Sequence, residues 1–565
     1  MSLTSLGFLG FAALSIILLR ILPGGGWRQA TLLGLDAAFL YSQTDALLPL
    51  LPLIGFVLLG YVAVIAAERR RARHGLGLLV LGMVAIFVWL KRYPLVSALP
   101  TFGFAFTVVG LSYMLFRILH IVIDVGQGSL SRPRFVSYLN YVFNFLCLLS
   151  GPIARLEDFE PQLRVRPPLP SWREIDAAAQ RILRGYVMVA VLASIATNFV
   201  NLLKPEFSAA LVHGEVAHGV RVYALLTGTY LFNLYVNFSG YMEIVIGIGM
   251  LAGLTLPENF NFPFLSKNFL DLWSRWHITL SNWLKFYLFN AVLKSLGARF
   301  GTRSNMAYLG AIAFFVTFVV MGIWHGTTYI FFVYGLFLGA GVTVNRLWQI
   351  WAPQWLGKSG YKNLQQREWY FQLSRAATLS YLAVALTSFW ITDQQAAALI
   401  RPDGLAIFLG GYVGLVAAGT MAGFAWDGVS AFFRKRLLAP WAPADGEKGG
   451  GPEVRRAGRV LLISLLAVAL ASMVVALVSL DLTGILAGSS SVRRLAMLAL
   501  MAGACAAILI SVGRLEPAVA RWRDAVFPRR GRDAAAIWLG FRALLAINLV
   551  LLMVSSIPEF IYKAF

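Results

Sequence analysis

Apolar runs of about twenty residues return along the whole chain, separated by short polar or basic turns. About twenty apolar residues is what a helix needs to cross a bilayer, and the runs lack the period-two alternation of barrel strands. The pattern predicts helices over 5–22, 29–42, 46–67, 75–90, 104–124, 136–153, 182–203, 219–238, 240–256, 306–324, 328–346, 376–392, 404–425, 458–480, 494–513 and 536–556. Only helices or closed barrels satisfy their backbone in lipid, so the predicted fold class is all-α and polytopic, a multi-pass plasma (inner) membrane protein. The first run has no basic lead and no small-residue cleavage site. It reads as a membrane helix and not as a removed signal peptide.

The polar stretches 154–180 and 437–457 are expected to be loops, the second rich in Gly, Pro and charge. The second belongs to a linker, 431–457, that separates a motif-rich part, 1–430, from a terminal group of three apolar helices, 458–565, that carries no polar constellation. Segment 270–290 has a different pattern. Trp273, Trp276, Leu280, Trp283 and Tyr287 follow at helical steps and share one face, while Arg275, Asn282 and Lys285 point elsewhere. That predicts one continuous helix near the membrane interface, with His277 at the edge of the stripe and Ser281 one turn on.

Composition agrees with this pattern. The chain is 59% hydrophobic and only 13% charged, where a soluble domain carries about 25% charged residues. The net charge of +22 would suggest nucleic acid in a soluble protein. Here the cations cluster between apolar runs (Arg69 to Arg73, Arg132 and Arg134, Arg434 to Arg436, Arg455 and Arg456, Arg529 to Arg532), as cytoplasmic loops do beside anionic lipid. No nucleic-acid partner is expected. Cys147 and Cys505 both lie in apolar runs and suggest neither a disulfide framework nor a thiolate metal site.

Two histidines stand where lipid should penalise them, each after a tryptophan: His277 in DLWSRWHITLS (271–281) and His325 in MGIWHG (321–326), the latter following fourteen residues without a charge. Ionisable groups at membrane depth usually face a protein interior or a wet cavity, and imidazole is suited to moving protons near neutral pH. The bland alternative for His325 is a hydrogen-bonded packing residue. Gly322 and Gly326 around it allow either close helix packing or passage of a thin substrate. Arg117, His120 and Asp124 share one helical face and are expected to form a structural ion pair near a helix end. Asn237 and Glu243, in the apolar stretch 231–261, read as structural hydrogen-bond partners, and the turn Pro257–Asn261 could line a cavity. Gly151-Pro152-Ile153-Ala154-Arg155 reads as a helix stop with a cation at the membrane edge. His213 and His218 read as solvated. No nucleotide-binding loop, metal site or nucleophile elbow is present.

Several of these segments together resemble the membrane-bound O-acyltransferases, in the bacterial group of alginate O-acetyltransferases and teichoic-acid D-alanyltransferases. They are LSYMLFRILHIVIDV (111–125), SGPIARLEDF (150–159), NFSGYMEIVIGIGMLAGLTLPENFNFPF (237–264), LWSRWHITLSNWLKFYLF (272–289) and MGIWHG (321–326). The resemblance covers roughly residues 1 to 430. It implies a ring of transmembrane helices around a thin, tunnel-bearing centre. An acyl thioester, acetyl-CoA or a phosphopantetheinyl acyl carrier protein, would enter from the cytoplasm as substrate, with no bound cofactor and no metal. The acceptor hydroxyl, on a polysaccharide, would come from the other side, with a further periplasmic or membrane acetylation partner as a possible associate. The family's catalytic histidine falls on His325 and its partner position on His277. Trp276 and Ser281 fall on the donor-side wall, and Trp324, Asn259 and Arg155 are candidate tunnel-lining residues. Ser274 replaces a second Arg found in many relatives, and Met242-Glu243 replaces a usual Ser-Asp.

The expected function is transfer of an acyl, chiefly acetyl, group to an exported polysaccharide. D-alanyl transfer to teichoic acid is the alternative within the enzyme class. Transport of a polysaccharide or lipid-linked sugar is the alternative outside it, and predicts several intramembrane acids and internal repeats; the sequence offers few such acids and no obvious repeat.

Overall fold

The computed structural model describes residues 5–433 apart from Pro23, Asp45 and residues 70–72. Among these every regular element is helical, so the all-α expectation holds there. The three predicted C-terminal helices and all but the first residues of the predicted linker lie outside the described residues. The last described helix runs Pro402–Phe433, past the expected boundary at 430.

Six described helices are long and apolar enough to cross a membrane: Leu48–Arg69, Trp172–His213, Val216–Ala252, Met306–His325, Tyr329–Trp355 and Pro402–Ala425. Gly7–Ile21 and Gly75–Leu90 are apolar but shorter. The protein is a multi-pass membrane protein. Residues Met1–Val189 and Leu203–Phe424 belong to one compact unit, and Ala190–Leu202 to a second; the candidate site lies wholly in the first.

The helix Val216–Ala252 runs 37 residues without interruption, about 55 Å at 1.5 Å per residue. Separate helices were expected over 219–238 and 240–256. Ser239-Gly240 does not break the helix because Gly240 serves packing instead. A Cβ there would come within 2.9 Å of the Gly185 carbonyl oxygen, so the missing side chain lets the neighbouring helix Trp172–Tyr186 approach.

Four other expectations are corrected. The helix predicted over 104–124 begins at Leu111 and ends at Gln127, since Gly110 stands in the left-handed region. The helix predicted over 136–153 stops at Phe143, and the chain then runs irregularly to Arg155. The expected loop 154–180 contains a helix Leu156–Arg164 and the start of the helix at Trp172, which Ser171 and Glu174 open with a reciprocal capping box. The continuous helix expected over 270–290 is broken. It consists of Phe269–Trp273, a turn, Ile278–Leu284 and a wider π-helical turn Lys285–Phe289.

Met306–His325 and Tyr329–Trp355 form the most extensive helix pair among the described residues. Their seam is a backbone contact, because a Cβ on Gly322 would fall 2.2 Å from the Gly335 Cα. Of the two uses open to Gly322, close packing is the one found.

Candidate functional site

The break in the segment 270–290 occurs at His277, whose φ of 46° lies in the left-handed region. Few residues other than glycine adopt it without cost, and the surroundings fix it. Asn268 caps the first short helix by accepting from the Asp271 N–H at 3.0 Å, and the Asp271 carboxylate accepts from the Lys267 N–H at 2.9 Å and from Nε of Arg275 at 3.0 Å. Burial raises the Asp271 pKa, but the Lys267 N–H, Arg275 and Ser274 outweigh it and hold the carboxyl below its ordinary range. Beyond the break, the Ile278 N–H donates to the Asn259 carbonyl at 2.9 Å. The buried Asn259 side chain does more. Its Oδ1 accepts from the Thr279 N–H at 3.0 Å and from the Thr279 hydroxyl at 2.9 Å, and lies 3.3 Å from Nδ1 of His277. Ile153, in the Gly-Pro-Ile-Ala-Arg turn, donates its N–H to the Thr279 hydroxyl at 3.1 Å. The polar turn Pro257–Asn261 therefore binds protein groups of the His277 turn.

His277 is 2% exposed and His325 is 6% exposed. They differ in what holds them. His277 is gripped by Asn259, faced edge-on by Phe238 at 4.9 Å between ring centroids, and has the Tyr113 hydroxyl 3.5 Å from Nε2. His325 ends its helix among aromatic faces, with Trp324, Tyr334 and Phe389 at 4.7, 5.6 and 5.4 Å. Its ring makes no hydrogen bond to a described residue, so the bland expectation of a histidine bonded to a neighbouring helix is not met.

Tyr113 and Trp324 connect the two imidazoles. The Tyr113 ring lies 6.4 Å from His277 and 5.9 Å from Trp324, and Trp324 lies 4.7 Å from His325. The histidines are also within electrostatic reach of each other. The indole N–H of Trp324 is buried with no hydrogen-bond partner among the described residues. The nearby Trp283 indole, packed on the same Phe116, donates to the Phe116 carbonyl at 3.1 Å. A buried donor left unpaired costs about 1–3 kcal/mol, so the Trp324 N–H is available to a guest.

The other predicted residues divide. Trp276 is buried against Tyr235 and Phe260, and the Ser281 hydroxyl donates back to the Trp276 carbonyl at 3.3 Å. Arg155 is half-exposed, 3.6 Å from Glu157, and lies over the Phe286 ring. Asn237 is buried, and neither amide atom has a partner among the described residues. Glu243 ion-pairs with Arg181 at 3.2 Å and Arg184 at 3.7 Å. Arg117 does not pair with Asp124. Its guanidinium reaches the carbonyls of Val142 and Cys147 and so holds the irregular chain after Phe143. Asp124 pairs with His120 at 2.9 Å and accepts from the Tyr287 hydroxyl at 2.7 Å. The Leu156 N–H donates to Nε2 of His120 at 3.2 Å, which puts the His120 proton on Nδ1, toward Asp124.

Tyr113, Thr279 and Phe389 belong to the site without having been singled out. Tyr113 lies in the segment 111–125 but carries no charge to flag it. Phe389 is distant in sequence and reaches the site only through packing.

A sequence profile described as MBOAT, membrane-bound O-acyltransferase family, matches residues 79–377, just over half of the chain. A teichoic acid D-alanyltransferase of Streptococcus thermophilus is 28% identical over 306 residues, 51% of this chain and 70% of that protein. A probable alginate O-acetylase of Pseudomonas aeruginosa is 28% identical over 246 residues, 42% of each chain. A peptidoglycan O-acetyltransferase of Helicobacter pylori is 30% identical over 228 residues, 40% of each chain. The chain thus spans less than half the length of these two O-acetylating relatives.

Proposed function

The chain belongs to the membrane-bound O-acyltransferase family, and from that premise we propose that it transfers an acetyl group from a thioester on the cytoplasmic side to a hydroxyl of an exported polysaccharide at the inner membrane. The observation that carries this reading is the His325 ring, buried among aromatic side chains with no hydrogen-bond partner among the described residues and joined through Trp324 and Tyr113 to a second buried imidazole. A packing histidine would be bonded. A general base must keep a lone pair for the reacting proton.

In the proposed reaction His325 takes the proton of the acceptor hydroxyl as that oxygen bonds the thioester carbonyl carbon. The carbon–sulfur bond then breaks, and the imidazolium returns its proton to the leaving thiolate. The thioester is already activated, so no nucleotide is consumed. Asn259 Oδ1 receives two donors from Thr279, which fixes it as oxygen and puts the His277 proton on Nδ1. Nε2 of His277 is then an acceptor and suits orienting a hydroxyl. Polarising the carbonyl falls instead to a donor, and the unpartnered Trp324 N–H is adjacent. Tunnel, acceptor and donor identity are parts of the same proposal. For the donor, a groove of about 580 Å³ beside Met306 has Lys294 and Arg303 on its wall, a basic surface suited to a phosphate-bearing arm.

The test is transfer by purified, reconstituted protein from labelled acetyl-CoA or an acetylated carrier protein to candidate glycans. Appearance of an alkali-labile O-ester supports the reading. Movement of unmodified glycan without ester formation favours transport, and D-alanyl ester on teichoic acid favours the alternative enzyme.

A further inference from the structure

Lys91 and Arg92 follow the helix Arg73–Leu90 at the end where the helix Met306–His325 finishes. The Tyr93 hydroxyl donates to the Ile323 carbonyl at 2.9 Å, which ties the two ends together. Lys91 is partly buried and is the charged group in electrostatic reach of the His325 ring. Its ammonium makes no ion pair or hydrogen bond among the described residues. Its neighbour Arg92, at φ 59°, gives its guanidinium to the carbonyls of Leu99 and Ser97, which secures the loop without neutralising it.

The surrounding sequence supplies no counter-charge. No Asp or Glu occurs between Glu68 and Asp124, or between Asp271 and Glu368, the segments that hold Lys91, both Trp-His pairs and the turn after His325. Charge patterning also orients this end. The basic run 69–73 precedes the helix to Lys91, and Arg299 and Arg303 precede the helix to His325. With basic turns inside, both helices arrive at the outer face, the side from which an exported acceptor approaches. An ammonium held half out of water without a partner is costly, and the cost falls when an anion arrives.

We propose that Lys91 determines acceptor specificity by pairing with a carboxylate or phosphate carried on the acceptor next to the hydroxyl that reaches His325. This rests on the reading of His325 as the reacting centre but is tested apart from it. The full chain in detergent is titrated, without donor, with a polyuronate oligosaccharide, the same oligosaccharide with its carboxyls reduced, and a glycerol-phosphate oligomer. The wild type should favour one anionic probe over the neutral one by about ten-fold or more, equivalent to a single good charge interaction. K91Q should abolish most of that preference, K91R should retain it, and added salt should weaken it. Which anionic probe wins separates uronate from phosphate.

Equal binding of charged and neutral probes, or a preference unchanged in K91Q, overturns the proposal whether or not transfer is observed. If transfer is measurable, K91Q should raise KM for the anionic acceptor more than for the neutral one. A fall in kcat alike for both would mean that Lys91 serves the transition state instead, and would also overturn it. Failure of the wild type to transfer with any acceptor would sink the acyltransferase reading and leave the binding result standing.

Discussion

Asn259 holds His277 by its Nδ1 edge: the amide oxygen stands 3.3 Å from that nitrogen, and two donors from Thr279 fix the amide's orientation. Removing it in N259A leaves the Thr279 N–H without an acceptor in a buried setting. The expected loss is about 1–3 kcal/mol of stability, read as a lower thermal midpoint, together with slower transfer because the His277 ring is no longer aligned. An unchanged midpoint would show that this network does not hold the turn.

The left-handed backbone at His277 gives a prediction with two arms. Asn tolerates this conformation and Val does not. H277N should fold close to normally and lose most transfer. H277V should in addition be destabilised by about 1–2 kcal/mol. Equal thermal midpoints for the two variants would contradict the strained turn.

Gly322 meets Gly335 backbone to backbone. G322A must push apart the two helices that pack most extensively, so the expected result is overpacking of about 1–3 kcal/mol and displacement of His325 three residues on. Detergent-solubilised G322A should therefore show both a lower midpoint and reduced transfer. Normal values for both would mean that the seam yields freely.

The unpartnered Trp324 indole separates shape from hydrogen bonding. W324F keeps an aromatic ring against Phe116 and Tyr113 but removes the N–H. If that N–H polarises the carbonyl, kcat should fall about 10²–10³-fold, the usual effect of losing one such donor, with little change in thermal midpoint. Full activity in W324F would assign the polarising role elsewhere.

Much of the membrane architecture was legible because apolar runs of bilayer length admit few other readings. The hairpin of Met306–His325 and Tyr329–Trp355 lies within a few residues of its prediction except at its far end. The break at His277 was not legible, since aromatic spacing fits a continuous helix and only tertiary hydrogen bonds from Asn259 and Thr279 impose the turn. Gly240 misled in the opposite direction, because a glycine kept for close packing looks like a helix end. The capping box at Ser171 was present in the sequence as Ser-x-x-Glu and would have revealed a helix where a loop was expected. His277 and His325 were legible as a pair, but their connection through Tyr113 and Trp324 depends on residues far apart in the chain.

Transfer by H325A in reconstituted membranes tests the central claim most directly. If His325 is the base, removing its imidazole should lower the rate of O-ester formation by about 10²–10⁴-fold. Because the ring has no hydrogen-bond partner among the described residues, the loss should come with the protein still folded. Transfer at the wild-type rate by folded H325A would contradict the account.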